Sequence, residues 1–171
     1  MKIRFIHKLV EQVKVTMAQK ETKEKKNQNE HDSSGGFSDA EKEAMKERAK
    51  ELRQEKSSKS KSRGEEAVIE KINEMDGEDK KIASNLHNMI KHEFPELAYK
   101  TWYGFPAYTK DGKVITFFQA SARFGERYST LGFSGDARLD NGVFWPTSYA
   151  ILEWNDDIAA EIKKLIKKAV G

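Results

Sequence analysis

Six carboxylates crowd one short stretch of the chain, and they are its most reactive grouping. Glu66, Glu70 and Glu74 recur at i, i+4 and i+8, a spacing that aligns three carboxylates along one face of a helix, and Asp76, Glu78 and Asp79 follow just beyond. Like charges four residues apart repel by a few tenths of a kcal/mol per pair, so a bound cation would relieve a real cost. Hard oxygen ligands suit a hard cation. The alternative is plain: such a stripe is also what a solvated helix face looks like. The chain has no cysteine, which leaves only oxygen and imidazole as ligands and removes thiolate chemistry. His87 and His92 stand about 140° apart round a helix and are not expected to face one ion; each reads as a surface or boundary residue.

A second grouping is aromatic. Thr101-Trp102-Tyr103-Gly104-Phe105-Pro106-Ala107-Tyr108 is followed by two runs of similar character, residues 127–133 and 144–148. Trp102, Tyr103, Tyr108, Phe118, Tyr128 and Trp145 could line a ligand groove, with Arg127 as its cationic group, or could pack between a sheet and its helices. Catalytic templates fail in turn. Gly132-Phe133-Ser134-Gly135 lacks the glycine that a nucleophile elbow carries two places after its serine, and neither a phosphate loop, an H-E-x-x-H pair nor a dinucleotide fingerprint is present. The chain reads as a binding domain rather than an enzyme.

These groups need elements to hold them. Val68, Ile72 and Met75 recur at helical spacing up to Gly77; Ile82, Leu86, Met89 and Ile90 make a second amphipathic stripe that Pro95 closes. Strands are expected over residues 98–103, 107–110, 113–119, 127–133 and 148–153, and Lys110-Asp111-Gly112-Lys113 is a hairpin signal. A last helix is capped by Asn155 and buries Ile158, Ile162, Leu165, Ile166 and Ala169. The pattern predicts an α+β fold with a mostly antiparallel sheet packed by helices.

Charge divides the chain. Residues 1–64 carry 17 Lys and Arg against 11 Asp and Glu, whereas residues 65–171 carry 14 against 17. Residues 1–64 are expected to be a flexible basic tail and residues 65–171 the folded domain. Residues 18–36 and 56–64 read as linkers. Between them Ser38-Asp39-Ala40-Glu41 is a capping box, starting a helix over about residues 38–54 whose thin, alanine-rich stripe predicts a solvated or loosely docked element. The basic run Lys56, Lys59, Lys61, Arg63 has no interleaved aromatics, which argues against nucleic acid as partner. A tethered basic tail would compete with cations for the acidic face. Met17 opens a plausible initiation sequence. No apolar run is long enough to span a membrane, and a cytoplasmic location is expected.

The stretch TWYGFPAYTKDGKVITFFQ, followed by RYSTLGF and then WPTSYA, resembles the YdhG-like domain family over roughly Glu65 to Val170, and FSDAEKEAMKERAKEL resembles an extension that precedes the domain in some members. The resemblance implies an α+β fold and the iron handling of a frataxin-like intracellular chaperone, with iron–sulfur assembly or other iron-accepting proteins as partners. It supplies no catalytic residues. Two functions follow as expectations: a chaperone that holds iron through Glu66, Glu70, Glu74 and their acidic neighbours, or a small-ligand or protein-partner module that uses the aromatic groove and no metal.

Overall fold

In a computed structural model that describes residues 36–55 and 61–171, the acidic stretch spans the junction of two helices that pack on a five-stranded sheet. The described elements run α1 (Asp39–Glu55), α2 (Lys61–Asn73), α3 (Gly77–Glu93), β1 (Ala98–Trp102), β2 (Phe105–Lys110), β3 (Lys113–Gln119), a 3-10 turn (Ala122–Phe124), β4 (Ser129–Phe133), β5 (Ser148–Ile151) and α4 (Asp156–Val170). The fold is α+β, and the strands lie in the order β1-β2-β3-β4-β5 with every neighbour antiparallel. Met17, the start of the chain and the linker residues 18–35 and 56–60 lie outside the described residues.

Each element has a local cause. Glu41 Oε2 accepts from the Ser38 amide at 2.6 Å and Ser38 Oγ accepts from the Glu41 amide at 3.3 Å, so the reciprocal capping box forms. Asn155 Oδ1 accepts from the Ile158 amide at 3.0 Å and starts α4. At the other end of α4, Lys110 Nζ donates to the Val170 carbonyl at 2.6 Å, placing a cation where the helix dipole is negative. Asp111 and Gly112 both have positive φ (52° and 78°), the two-residue turn expected between β2 and β3. The core joins Ile82, Leu86 and Ile90 of α3 and Ile162 and Ile166 of α4 to Tyr108, Phe118 and Leu131 of the sheet.

Two of the helices differ from the sequence reading. Lys61–Gly64, expected in a linker, form the first turn of α2, and α2 lies so close to the sheet that a Cβ on Gly64 would overlap the Tyr99 carbonyl. Helix α1 is also not solvated: Ala44 is buried, Glu51 is 5% exposed, and residues 37–171 form one compact unit. A buried alanine contributes far less than the roughly 1.5–3 kcal/mol of a large apolar side chain, so the thin stripe alone would hold α1 weakly. The carboxylate of Glu51 supplies the missing attachment, as described below.

Gly64 gives a prediction contrary to helix propensity. Glycine to alanine inside a helix ordinarily stabilises by up to about 1 kcal/mol. Here the new methyl meets rigid backbone, so Gly64→Ala is expected to destabilise the protein by about 1–3 kcal/mol, measured by urea unfolding. A stabilised variant would show that α2 can slide away from β1 at no cost.

Candidate functional site

The acidic residues separate into two populations. Glu66, Glu70 and Glu74 do share one exposed face of α2, where they line a shallow depression of about 560 Å³ with Ile69 and Asn73. Glu74 is paired there with Lys71 Nζ at 2.9 Å. Glu78 pairs with Lys81 at 3.3 Å. Asp76 is the N-cap residue of α3, and its side chain makes no cap hydrogen bond.

Asp79 belongs elsewhere. It is buried, and its carboxylate accepts from the Ser121 amide (3.1 Å), the Ser121 hydroxyl (3.0 Å to each oxygen), the Ala122 amide (2.9 Å) and the Ser129 hydroxyl. Burial alone would push this carboxyl up, but the Ser129 hydroxyl and the Ala122 and Ser121 donors together outweigh it and hold it below the usual aspartate range. Its lone pairs are occupied by protein donors, so Asp79 fastens the 3-10 turn and the start of β4 to α3 and is not part of an open cation face. Among the described residues no three His, Asp or Glu side chains converge closely enough to hold a metal ion.

The aromatic residues separate as well. Tyr108 and Phe118 are wholly enclosed in the core and cannot line a surface groove. Trp102 packs edge-on against Tyr103 and Phe117 at centroid distances of 5.2 and 5.0 Å, next to the β1–β2 turn, and Trp145 packs half-buried against the core. The common groove expected from the sequence is not assembled, because alternation along the strands sends neighbouring aromatics to opposite faces.

What the fold does bring together is part of each set. A cleft of about 400 Å³ lies between the start of α3 and the ends of β4 and β5, and Asp76, Glu78, Arg127 and Tyr128 line it over a base that includes Ile82, Ile151 and Leu152. The Arg127 guanidinium stands 5.2 Å from the Tyr128 ring centroid, within cation–π range. Leu152, 64% exposed, projects an apolar side chain at the cleft from the end of β5, which is an edge of the sheet. The cleft thus offers one cation, the exposed carboxylates of Asp76 and Glu78, a phenol and an apolar wall beside an edge strand, and its lining also includes buried Asp79 with its Ser121 and Ser129 donors.

Sequence reasoning missed two buried sites. In one, Glu51 reaches from α1 to the β1–β2 turn. In the other, His87, read as a surface or boundary residue, lies 5% exposed against Tyr99 and Tyr108, with its Nδ1 3.4 Å from the Tyr108 hydroxyl. The available signal for His87 was its position one residue after Leu86 on the stripe of Ile82, Leu86 and Ile90. Comparison of the chain with family models, curated proteins and solved structures gives no match. No helix among the described residues is long and apolar enough to cross a membrane.

Proposed function

We propose that the domain is a non-enzymatic protein-partner module that takes an extended peptide segment along β5, with one apolar side chain seated in the cleft. The observation that carries this reading is the cleft's position at an edge strand beside the exposed Leu152. An edge strand presents unpaired backbone groups for a further strand, while a neighbouring pocket supplies side-chain selectivity. Arg127 on one side and Asp76 and Glu78 on another favour a segment with charges of both signs flanking its apolar anchor.

The test is peptide selection on the full-length chain from a random display library. Selected peptides are expected to lose at least about tenfold in affinity on Arg127→Glu or Leu152→Asp, since each change removes or reverses a contact worth about 1–2 kcal/mol. Peptides that bind these variants and the parent equally would place recognition elsewhere. The iron-chaperone reading implied by the family resemblance would draw its ligands chiefly from Glu66, Glu70 and Glu74, with Asp76, Glu78 and Asp79 beside them. Iron titration of the parent and of a variant with Glu66, Glu70 and Glu74 all replaced by Gln separates it from peptide binding, because the face these three share is distinct from the cleft.

A further inference from the structure

The β1–β2 turn, away from the cleft, holds a carboxylate in an arrangement built for an anion. Trp102 pairs with Phe105, so Tyr103 and Gly104 form a two-residue turn, both with positive φ (56° and 77°). A turn of this kind leaves its two central N–H groups without partners in the ladder and points them outward as a small concavity that suits an anion. Glu51 fills it: Oε2 accepts from the Tyr103 amide at 3.0 Å and Oε1 from the Gly104 amide at 2.8 Å. Arg48, one turn earlier on α1, donates to Oε2 at 3.2 Å and stands 5.8 Å from the Tyr103 ring centroid.

The sheet side contributes a further cation of its own. Arg123, in the 3-10 turn fastened by Asp79, lies over the Phe105 ring at 4.8 Å, with its guanidinium against Gly104; a Cβ there would stand 2.5 Å from its Nη1. The turn therefore offers two convergent amides on the body of the domain, while its present occupant arrives from a helix that is otherwise held by little apolar surface.

We infer that the Tyr103–Gly104 turn is an anion-binding site for an oxyanion such as a carboxylate, and that Glu51 of α1 is its intramolecular occupant. An external carboxylate, as from an acidic side chain or the C-terminus of a peptide, takes the place of Glu51 when α1 lifts. Because a tethered group competes at an effective concentration on the order of millimolar, the parent masks the site against weak external anions.

The experiment follows the Tyr103 and Gly104 amides by 15N-resolved NMR in the full-length parent and in Glu51→Ala. Each protein is titrated with sodium acetate and with inorganic phosphate, against sodium chloride at matched ionic strength. In Glu51→Ala both amides are expected to shift saturably with acetate, with half-saturation roughly tenfold below that of the parent. Saturation by phosphate alone would limit the site to phosphate-type oxyanions and overturn the carboxylate assignment. Shifts no larger than those with chloride would overturn the site altogether. Should Glu51→Ala not fold, Glu51→Gln, which keeps the side-chain volume but not the charge, is expected to show a smaller gain in acetate affinity, and no gain over the parent overturns the proposal.

Discussion

Asp79→Ala is expected to destabilise the domain by about 3 kcal/mol, because it leaves two backbone amides and two hydroxyls around a buried carboxylate site without their acceptor. Hydrogen bonds to a charged acceptor are worth about 1.5–3 kcal/mol each when the acceptor is removed, and the hydroxyls recover part of this by turning to other acceptors. The melting temperature should fall by roughly 10 °C for a domain of this size. The acid limb of the stability profile carries the same information. Asp79 is held below its ordinary value in the folded state, so its contribution is fully present above the unfolded aspartate range near pH 4 and is lost as pH falls through the lowered folded-state value. Asp79→Asn should therefore be less stable at pH 7, with the difference from the parent narrowing as pH falls below about 4. Urea unfolding across pH 7 to 3 measures both effects. A loss below about 0.5 kcal/mol at pH 7 would mean that water replaces the carboxylate at no cost.

The contrast between Asp79 and its neighbours shows where a sequence stops being informative. Asp76, Glu78 and Asp79 read alike along the chain, yet only Asp79 faces Ser121 and Ser129, roughly 40 and 50 positions later, and no local pattern encodes that meeting. The same holds at the two hairpins. Lys110-Asp111-Gly112-Lys113 was legible because aspartate and glycine accept positive φ for local reasons. Tyr103-Gly104 was not, because tyrosine in the left-handed region is locally unfavourable, and the carboxylate that meets its amide comes from Glu51, 52 residues earlier. Accordingly the sequence reading carries the first strand through Tyr103 and starts the second at Ala107, whereas β1 ends at Trp102 and β2 starts at Phe105, with Pro106 paired to Thr101. Helix α1 was seen and capped correctly, but its docking depends on one buried charged residue that an apolar count cannot register. The helical stripes, the antiparallel sheet and the Asn155 cap needed only periodicity and short-range chemistry, and these were read directly. The candidate cleft was half legible: the sequence marks Asp76 and Glu78 as carboxylate ligands and Arg127 and Tyr128 as groove residues, and only the fold brings α3 against β4 and β5.

His87 supplies the other large effect, with a dependence on pH of opposite origin. Burial beside Tyr99 and Tyr108 holds its imidazole below the ordinary histidine value, and Glu65, whose carboxylate lies 3.6 Å from Nε2, only partly offsets this. Nε2 itself has no hydrogen-bond partner. Glu65 is held ionised chiefly by its 2.6 Å bond from Lys91, so the charge facing His87 persists into mild acid. A buried base with a lowered folded-state value binds its proton more readily when unfolded. Its contribution is therefore intact above pH 6.5 and is lost as pH falls from there toward the folded-state value, at up to about 1.4 kcal/mol per pH unit. His87→Ala is expected to cost about 3 kcal/mol at pH 7.5, from the cavity left beside the two tyrosine rings and from the Tyr108 hydroxyl, which is wholly buried and loses its neighbour. His87→Phe keeps the ring, costs about 1 kcal/mol through that hydroxyl, and should remove the slope just below pH 6.5. Glu65→Gln should do the reverse: with the carboxylate gone, burial acts unopposed, the folded-state value of His87 falls further, and the descent continues to lower pH. Urea unfolding of the parent and the three variants between pH 7.5 and 4.5, with the His87 ring protons followed by NMR, separates these outcomes. A parent profile flat below pH 6.5, or one unchanged by His87→Phe, would show that the imidazole takes up its proton without leaving the fold.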